Sequence, residues 1–373
     1  MSPVTHPAEL LDCLQTNLAL LADRLHGPGT SLRLGAPLRL RTRTGDHGLP
    51  TVEPTLDQHT ADACTLLGLA VAEHRTAGPA AFGTGRPVYV VADAFHLPWV
   101  PYFGQKHIEH SFVAEATDGG VTISDAYHNE TPWGPARPLT RAYRADELAA
   151  ILEGVPGGFE IIEFAPAPLG PAPDPAVGFG PRDAEDYVRA YAGHPDRAAA
   201  LDRFTLETWL LARSRRLHAA FLEARDGGVS TAVHQHLATW NALVEHAYLA
   251  FRRVSRGHAE PPGLLMRAAA LLRADVTLFA RPAGEGDVRD AVRATVAAVL
   301  DVPAPRLETE PLTAIPSFGS FRMVEIVERL EKDFAVEFDA GDLVPEKLHS
   351  LDSLCALVTG ALAGTGEGDR RGA

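Results

Sequence analysis

Cysteine, lysine and long apolar runs are what this chain has least of. Its 373 residues hold three cysteines, Cys13, Cys64 and Cys355, too few and too scattered for a disulfide framework or a paired-cysteine metal site. Three lysines stand beside abundant arginine, and acidic residues outnumber basic ones 48 to 34, for a formal charge of −14. That balance argues against nucleic acid as the main partner, because a phosphate backbone selects basic surfaces. No apolar run approaches the roughly 20 residues that span a bilayer, and no basic-then-apolar leader precedes Cys13. The expectation is a cytoplasmic chain without a membrane partner.

What is plentiful is Ala, Gly and Pro, and the prolines punctuate the chain. The run from Ala165 to Pro175, with proline at 166, 168, 171, 173 and 175, cannot hold a helix and reads as a linker. A second break runs from Arg281 to Gly286. Between them lie helical patterns over Phe204–Ala224 and Thr231–Val254, with Trp209, Leu210, Leu217 and Phe221, then Leu237, Trp240, Leu243 and Phe251 at helical spacing. The expected fold is multidomain α+β: an α+β unit over 1–165, a helical unit over 176–282, a small helical unit over 285–363 and a disordered tail over 364–373.

The N-terminal unit carries the candidate chemistry. Cys13 opens an amphipathic pattern, and at a helix start unpaired N–H groups and the dipole favour a thiolate. The β-rich run Pro87–Asp93 ends in the turn Ala94-Phe95-His96-Leu97-Pro98-Trp99. Then His110–Ala116 and Val121–Asp125 flank Thr117-Asp118-Gly119-Gly120, which reads as a β-hairpin. Pairing across that hairpin brings His110 toward Asp125, the base-and-orienter relation a cysteine nucleophile uses. His107 competes with His110 for the role of base; His110 directly precedes the strand. Histidines 96, 107, 110, 234 and 236 match no four-ligand zinc spacing, so no metal is expected. Gly83-Thr84-Gly85 leads into a strand, a poor setting for a phosphate loop.

Cys13 opening the first long helix, a strand ending in Asp93-Ala94-Phe95-His96-Leu97-Pro98-Trp99, and the His110-to-Asp125 unit together resemble the butirosin biosynthesis acyltransferase family. The resemblance spans most of residues 10 to 280. It implies a papain-like domain followed by a helical domain, with Cys13 as nucleophile, His110 as general base and acid, Asp125 as orienter, and Asp93, Leu97 and Pro98 shaping the substrate pocket. Trp209, Arg213, Arg215, Arg216 and His218 look like the family's second domain. No glutamine stands shortly before Cys13 to serve as oxyanion donor, which leaves the Cys13 N–H as a candidate.

The third unit resembles an acyl or peptidyl carrier protein. Val288, Val292, Val296 and Val299 form one helical face, Leu312 and Ile315 plug a core, and Leu351, Leu354, Leu357 and Val358 mark a last helix. Between them Ser320 is expected to N-cap a helix with apolar positions Phe321, Val324, Val327, Leu330 and Phe334. The resemblance implies four helices and a covalent phosphopantetheine on Ser320, although Gly319-Ser320-Phe321 stands where Asp-Ser-Leu is usual. The alternative is that Ser320 only caps an unmodified helix.

The two resemblances together imply an acyltransferase of antibiotic or other secondary-metabolite biosynthesis, moving a carrier-bound acyl or aminoacyl thioester to an amine. Its implied partners are a phosphopantetheinyl transferase, an acyl-loading enzyme and a small-molecule amine acceptor. A thioesterase would use the same residues with water as acceptor, and a non-catalytic carrier or scaffold protein is the remaining class.

Overall fold

The first unit is built on a β-sheet whose strands alternate between two cores. In chain order the elements are α1 (Cys13–His26), the short strands β1 (Pro37–Leu38), β2 (Arg43–Thr44) and β3 (Pro50–Thr51), α2 (Leu56–Leu66), then β4 (Leu69–Ala77), β5 (Val88–Asp93), β6 (Glu109–Thr117), β7 (Gly120–Asp125), β8 (Asn129–Thr131), β9 (Gly134–Ala136), β10 (Leu139–Tyr143), α3 (Ala145–Glu153), β11 (Phe159–Pro166) and β12 (Ala176–Val177). A computed structural model describes residues 7–78, 86–279, 285–308, 310–334, 336–339, 341–344 and 347–368. The architecture is mixed α+β. Gly83-Thr84-Gly85, the 281–284 part of the second break, and 369–373 lie outside the described residues.

Six antiparallel strands pair in the order β10-β7-β6-β5-β11-β4, with a bulge between Glu163 and Phe164. Successive side chains on a strand point to opposite faces, and β5 obeys this closely. Tyr89 and Val91 join Leu14, Leu18 and Leu21 of α1 in one core, while Val88, Val90 and Ala92 join Phe112, Ile123, Leu148 and Leu152 in the other. Each fully buried aliphatic side chain contributes about 2 kcal/mol, so the pattern holds α1 flat against β5 and β6 and fixes where its first turn falls.

The 165–175 segment does not separate two domains. The chain divides instead into Met1–Phe279 and Ala280–Ala373. Ala167 N–H donates to Gly68 O at 2.8 Å, the Arg33 guanidinium to Pro171 O at 2.6 Å, and β12 pairs in parallel with β1. Proline removes N–H donors but leaves carbonyls, and these bind the segment to the body. The helices that follow are α4 (Pro181–Ala192), α5 (Arg197–Asp226), α6 (Thr231–Val254) and α7 (Leu264–Leu278). Their core takes in Leu38, Leu40 and Leu49 from the N-terminal part. Buried Glu207 of α5 accepts from Thr51 Oγ1 and Val52 N–H, each at 2.7 Å, and from the Tyr187 hydroxyl at 2.8 Å. At Gly35, a Cβ would lie 2.4 Å from Leu217 O, so only glycine permits this approach of α5.

The second unit contains α8 (Glu285–Leu300), α9 (Ser320–Phe334) and α10 (Leu351–Gly368). Val288, Val292, Val296 and Val299 are buried with Leu312, Ile315, Ile326, Leu330, Leu351, Leu354, Leu357 and Val358 in one core. Helix α10 continues to Gly368, so residues 364–368, expected in a disordered tail, are helical. Once a helix is nucleated, each added residue gains a hydrogen bond, which offsets the modest cost of glycine.

Among the described residues no helix is long and apolar enough to cross a membrane.

Candidate active site

Helix α1 begins at Cys13 because Asp12 caps it. The Asp12 carboxylate accepts from the N–H groups of Leu14 (2.9 Å) and Gln15 (2.7 Å), and the Gln15 side chain accepts from the Asp12 N–H. Such a box contributes about 1 kcal/mol. It also changes the expected chemistry of Cys13. The Leu14 and Gln15 N–H groups are not free to stabilise a thiolate, and burial, followed by the charges of Asp12 and Asp125, pushes the thiol well above its ordinary pKa; the Cys13 N–H works in the opposite direction. Burial and charge both work against a resting thiolate.

Cys13 meets β6 on both sides of His110. Its Sγ donates to Glu109 O at 3.4 Å, and the Ser111 hydroxyl donates to Cys13 O at 2.5 Å. Asn17, one turn along α1, reinforces this docking. Its amide donates to Ser111 O at 2.8 Å and, more weakly, to Asp125 Oδ1 at 3.4 Å, while its oxygen accepts from Ala126 N–H at 3.0 Å.

His110 is fully buried, and its Nε2 lies 2.7 Å from Asp125 Oδ2. Asp125 is oriented in turn, because its Oδ1 accepts from Tyr127 N–H at 3.0 Å. The Tyr127 ring packs edge-on against His110, centroids 5.5 Å apart. An ionised Asp125 accepts the Nε2 proton and so selects the tautomer with Nδ1 unprotonated. That Nδ1 is buried and has no hydrogen-bond partner among the described residues. Such an atom is a ready proton acceptor.

His107 takes a different partner. Its Nδ1 lies 2.6 Å from Asp93 Oδ2, and its side chain is 68% exposed. Asp93 also caps the turn Ala94–His96 through Phe95 N–H at 3.0 Å. Burial alone would raise its pKa, but the His107 and Phe95 hydrogen bonds outweigh it and hold the carboxyl below its usual value. Asp93 lies opposite Glu109 in the sheet, and Ala92 opposite His110. Leu97 is fully buried in the core under β5, and Pro98 is exposed. The strand-end segment therefore supplies packing at Leu97 and a polar cluster at Asp93.

The helical layer reaches this place through Arg213. Buried Arg213 donates to Leu11 O and, at 2.9 Å, to Asn129 Oδ1, and its guanidinium lies 4.0 Å from the Trp209 ring centroid. Arg215, His218 and Trp240 are instead interior. Arg215 Nε donates to Asp275 at 2.8 Å, Trp240 Nε1 donates to Asp275 at 3.1 Å, and His218 Nδ1 meets Gly35 O at 2.6 Å. Sequence reasoning passed over Asn17, Ser111 and Tyr127. Asn17 alone left a signal, standing four residues after Cys13 and hence on its helix face.

In the second unit, Ser320 is exposed as the first residue of α9, and Gly319 O accepts from Met323 N–H at 2.9 Å. Gly319 thus holds the cap position expected for Ser320. The apolar face also differs. Phe321 is 94% exposed and Val324 57%, whereas Ile326 and Leu330 are buried and Met323, Val327 and Phe334 pack beside them. The 3.6-residue period places 323, 326, 327, 330 and 334 on one stripe and turns 321 and 324 away.

Comparison with protein-family models and with curated proteins found no match.

Proposed function

We propose that the chain is a thiol-dependent acyltransferase that moves a carrier-bound acyl or aminoacyl group onto Cys13 and then to an amine. The observation that carries this reading is the open Nδ1 of His110, on a ring whose Nε2 is held by Asp125 and whose flanking residues both touch Cys13. A raised thiol pKa means that His110 acts as a true base. Nδ1 takes the Cys13 proton as sulfur attacks the donor thioester carbonyl, and the Cys13 N–H is the candidate oxyanion donor. His110 then returns the proton to the departing thiolate. In the second half, Nδ1 removes a proton from the attacking amine and delivers it to Cys13 as the acyl–sulfur bond breaks.

The papain-like and butirosin-type resemblance of residues 10 to 280, and the carrier-like resemblance of 285 to 363, support the same reading. Ser320 suits a phosphopantetheine attachment: its side chain is exposed, and a Cβ on the preceding Gly319 would meet nothing within 4 Å. Bound there, the group would supply a thiol that presents the cargo as a thioester. Exposed Phe321 and Val324 beside it are a natural contact for partner enzymes.

The test is to load the carrier segment with an aminoacyl group and follow its fate by mass spectrometry, with and without candidate amines. Amide formation that requires Cys13 supports transfer. Free acid that no amine suppresses shows a thioesterase, and a stable thioester in every case leaves a carrier or scaffold.

A further inference from the structure

We propose that Asp93, His96 and His107 form a binding site for a divalent transition-metal ion of the zinc class. One ligating atom from each of these three side chains lies within 4.8 Å of the other two. Two imidazoles and one carboxylate are a common donor set for a metal that keeps an open position. The sequence spacing gave no hint of this, because a search for histidine and cysteine patterns leaves out the aspartate at the strand end. The inference goes beyond the acyl-transfer reading and does not depend on it.

The separations fit an ion better than they fit a finished hydrogen-bond network. Ligand atoms about 2.0–2.1 Å from a tetrahedral zinc are separated by roughly 3.4 Å. His96 Nε2 lies 3.9 Å from Asp93 Oδ2, beyond hydrogen-bond reach, and this buried nitrogen has no hydrogen-bond partner among the described residues. A buried polar atom left in that state is costly unless something else satisfies it. The Asp93–His107 contact at 2.6 Å needs to open by less than 1 Å to match these separations, a slide that the stacking of His107 on Phe95 permits.

The supporting frame is already built. Asp93 Oδ1 is occupied by Phe95 N–H, which leaves Oδ2 as the ligating oxygen. Ala94 N–H donates to Ile108 O at 2.9 Å and brings the turn against the segment that carries His107. The Phe95 ring stacks on His107 with centroids 4.2 Å apart and meets His96 edge-on at 5.2 Å. On its other side His96 lies against Gly154, where a Cβ would stand only 3.3 Å from Nδ1, so a larger residue at 154 would crowd the ring. Ligands held by neighbours in this way lose little freedom on binding. An ion here would tie the Ala94–His96 turn to the chain entering β6, two residues before Glu109 and three before His110.

The untagged full-length chain is titrated with Zn2+ by calorimetry and with Co2+ by absorption spectroscopy. The expected result is one ion per chain, with ligand-field bands of low-symmetry Co2+ and no thiolate charge-transfer band. Affinity should fall at least about tenfold in His96→Ala, His107→Ala and Asp93→Asn, and stay unchanged in Cys13→Ala. Because the His107 side chain is exposed, His107→Ala keeps its fold, and Zn2+ should raise the melting temperature of wild type but not of this variant. Three results would each overturn the proposal: no saturable binding below roughly 0.1 mM, binding unaffected in all three ligand variants, or binding lost with Cys13→Ala.

Discussion

Asp125 Oδ2 stands 2.7 Å from His110 Nε2 while its Oδ1 accepts from Tyr127 N–H at 3.0 Å. The carboxylate thus faces a hydrogen-bond donor with each oxygen. An asparagine cannot reproduce this, because its oxygen would stay with the Tyr127 N–H and its amide NH2 would face His110. The imidazole would then carry its proton on Nδ1 and lose its capacity as a base. Asp125→Asn should lower the acylation rate by about 10²–10⁴-fold with an unchanged circular dichroism spectrum. Activity near wild type would remove Asp125 from the proposed mechanism.

Cys13→Ala should abolish transfer while leaving an acylated carrier intact, and His110→Ala should come within about tenfold of it, since members of one catalytic unit are strongly non-additive. His107→Ala should retain activity. The reverse pattern for the two histidines, read by the same mass assay, would move the base to His107.

Asp12 makes a prediction about pH. Burial and the charges of Asp12 and Asp125 raise the Cys13 thiol, so iodoacetamide should label it more slowly than free cysteine at neutral pH, with a rate that keeps rising after free cysteine has levelled off. Asp12→Asn keeps a capping oxygen and removes one charge, and should shift that profile to lower pH. The raised value also links to folding. The folded thiol holds its proton longer than the unfolded one, so its contribution is complete below the ordinary cysteine pKa and is lost as pH rises through the folded value. The stability difference between wild type and Cys13→Ala in urea melts should be constant at neutral pH and change only on that alkaline side.

Asn17 is fully buried and joins α1 to Ser111, Asp125 and Ala126. Asn17→Ala leaves a buried N–H and carbonyl without partners and should cost about 2–3 kcal/mol, read as a lower urea midpoint at constant slope. A midpoint equal to wild type would show that water takes over these bonds.

On α9, Ile326→Ala should destabilise the second unit by about 2–5 kcal/mol, whereas Phe321→Ala should change stability by less than about 0.5 kcal/mol. Ser320→Ala should abolish the mass added by a broad-specificity phosphopantetheinyl transferase and coenzyme A. Added mass on Ser320→Ala, or none on wild type, would leave the serine as part of an unmodified helix.

Local chemistry was legible in the residues themselves. The hairpin that carries His110 and Asp125 on neighbouring strands, the valine face of α8 and the helices after residue 180 follow from strand and helix periods and turn composition, which act over a few residues. Contacts between segments far apart in sequence were not legible. Periodicity could not show that the carbonyls of the 165–175 run would bind it to the body, or that Arg215 and Trp240 would close on Asp275 inside the helical layer. It could not separate Phe321 from Leu330, since the inward side of a helix is fixed by what packs against it. Nor could it bring Asp93, His96 and His107 together. The sequence by itself determined which elements form and which side chains have reactive atoms. The tertiary structure decided which of those atoms meet and which are buried, and through desolvation and neighbouring charge it raised the Cys13 thiol above its ordinary pKa.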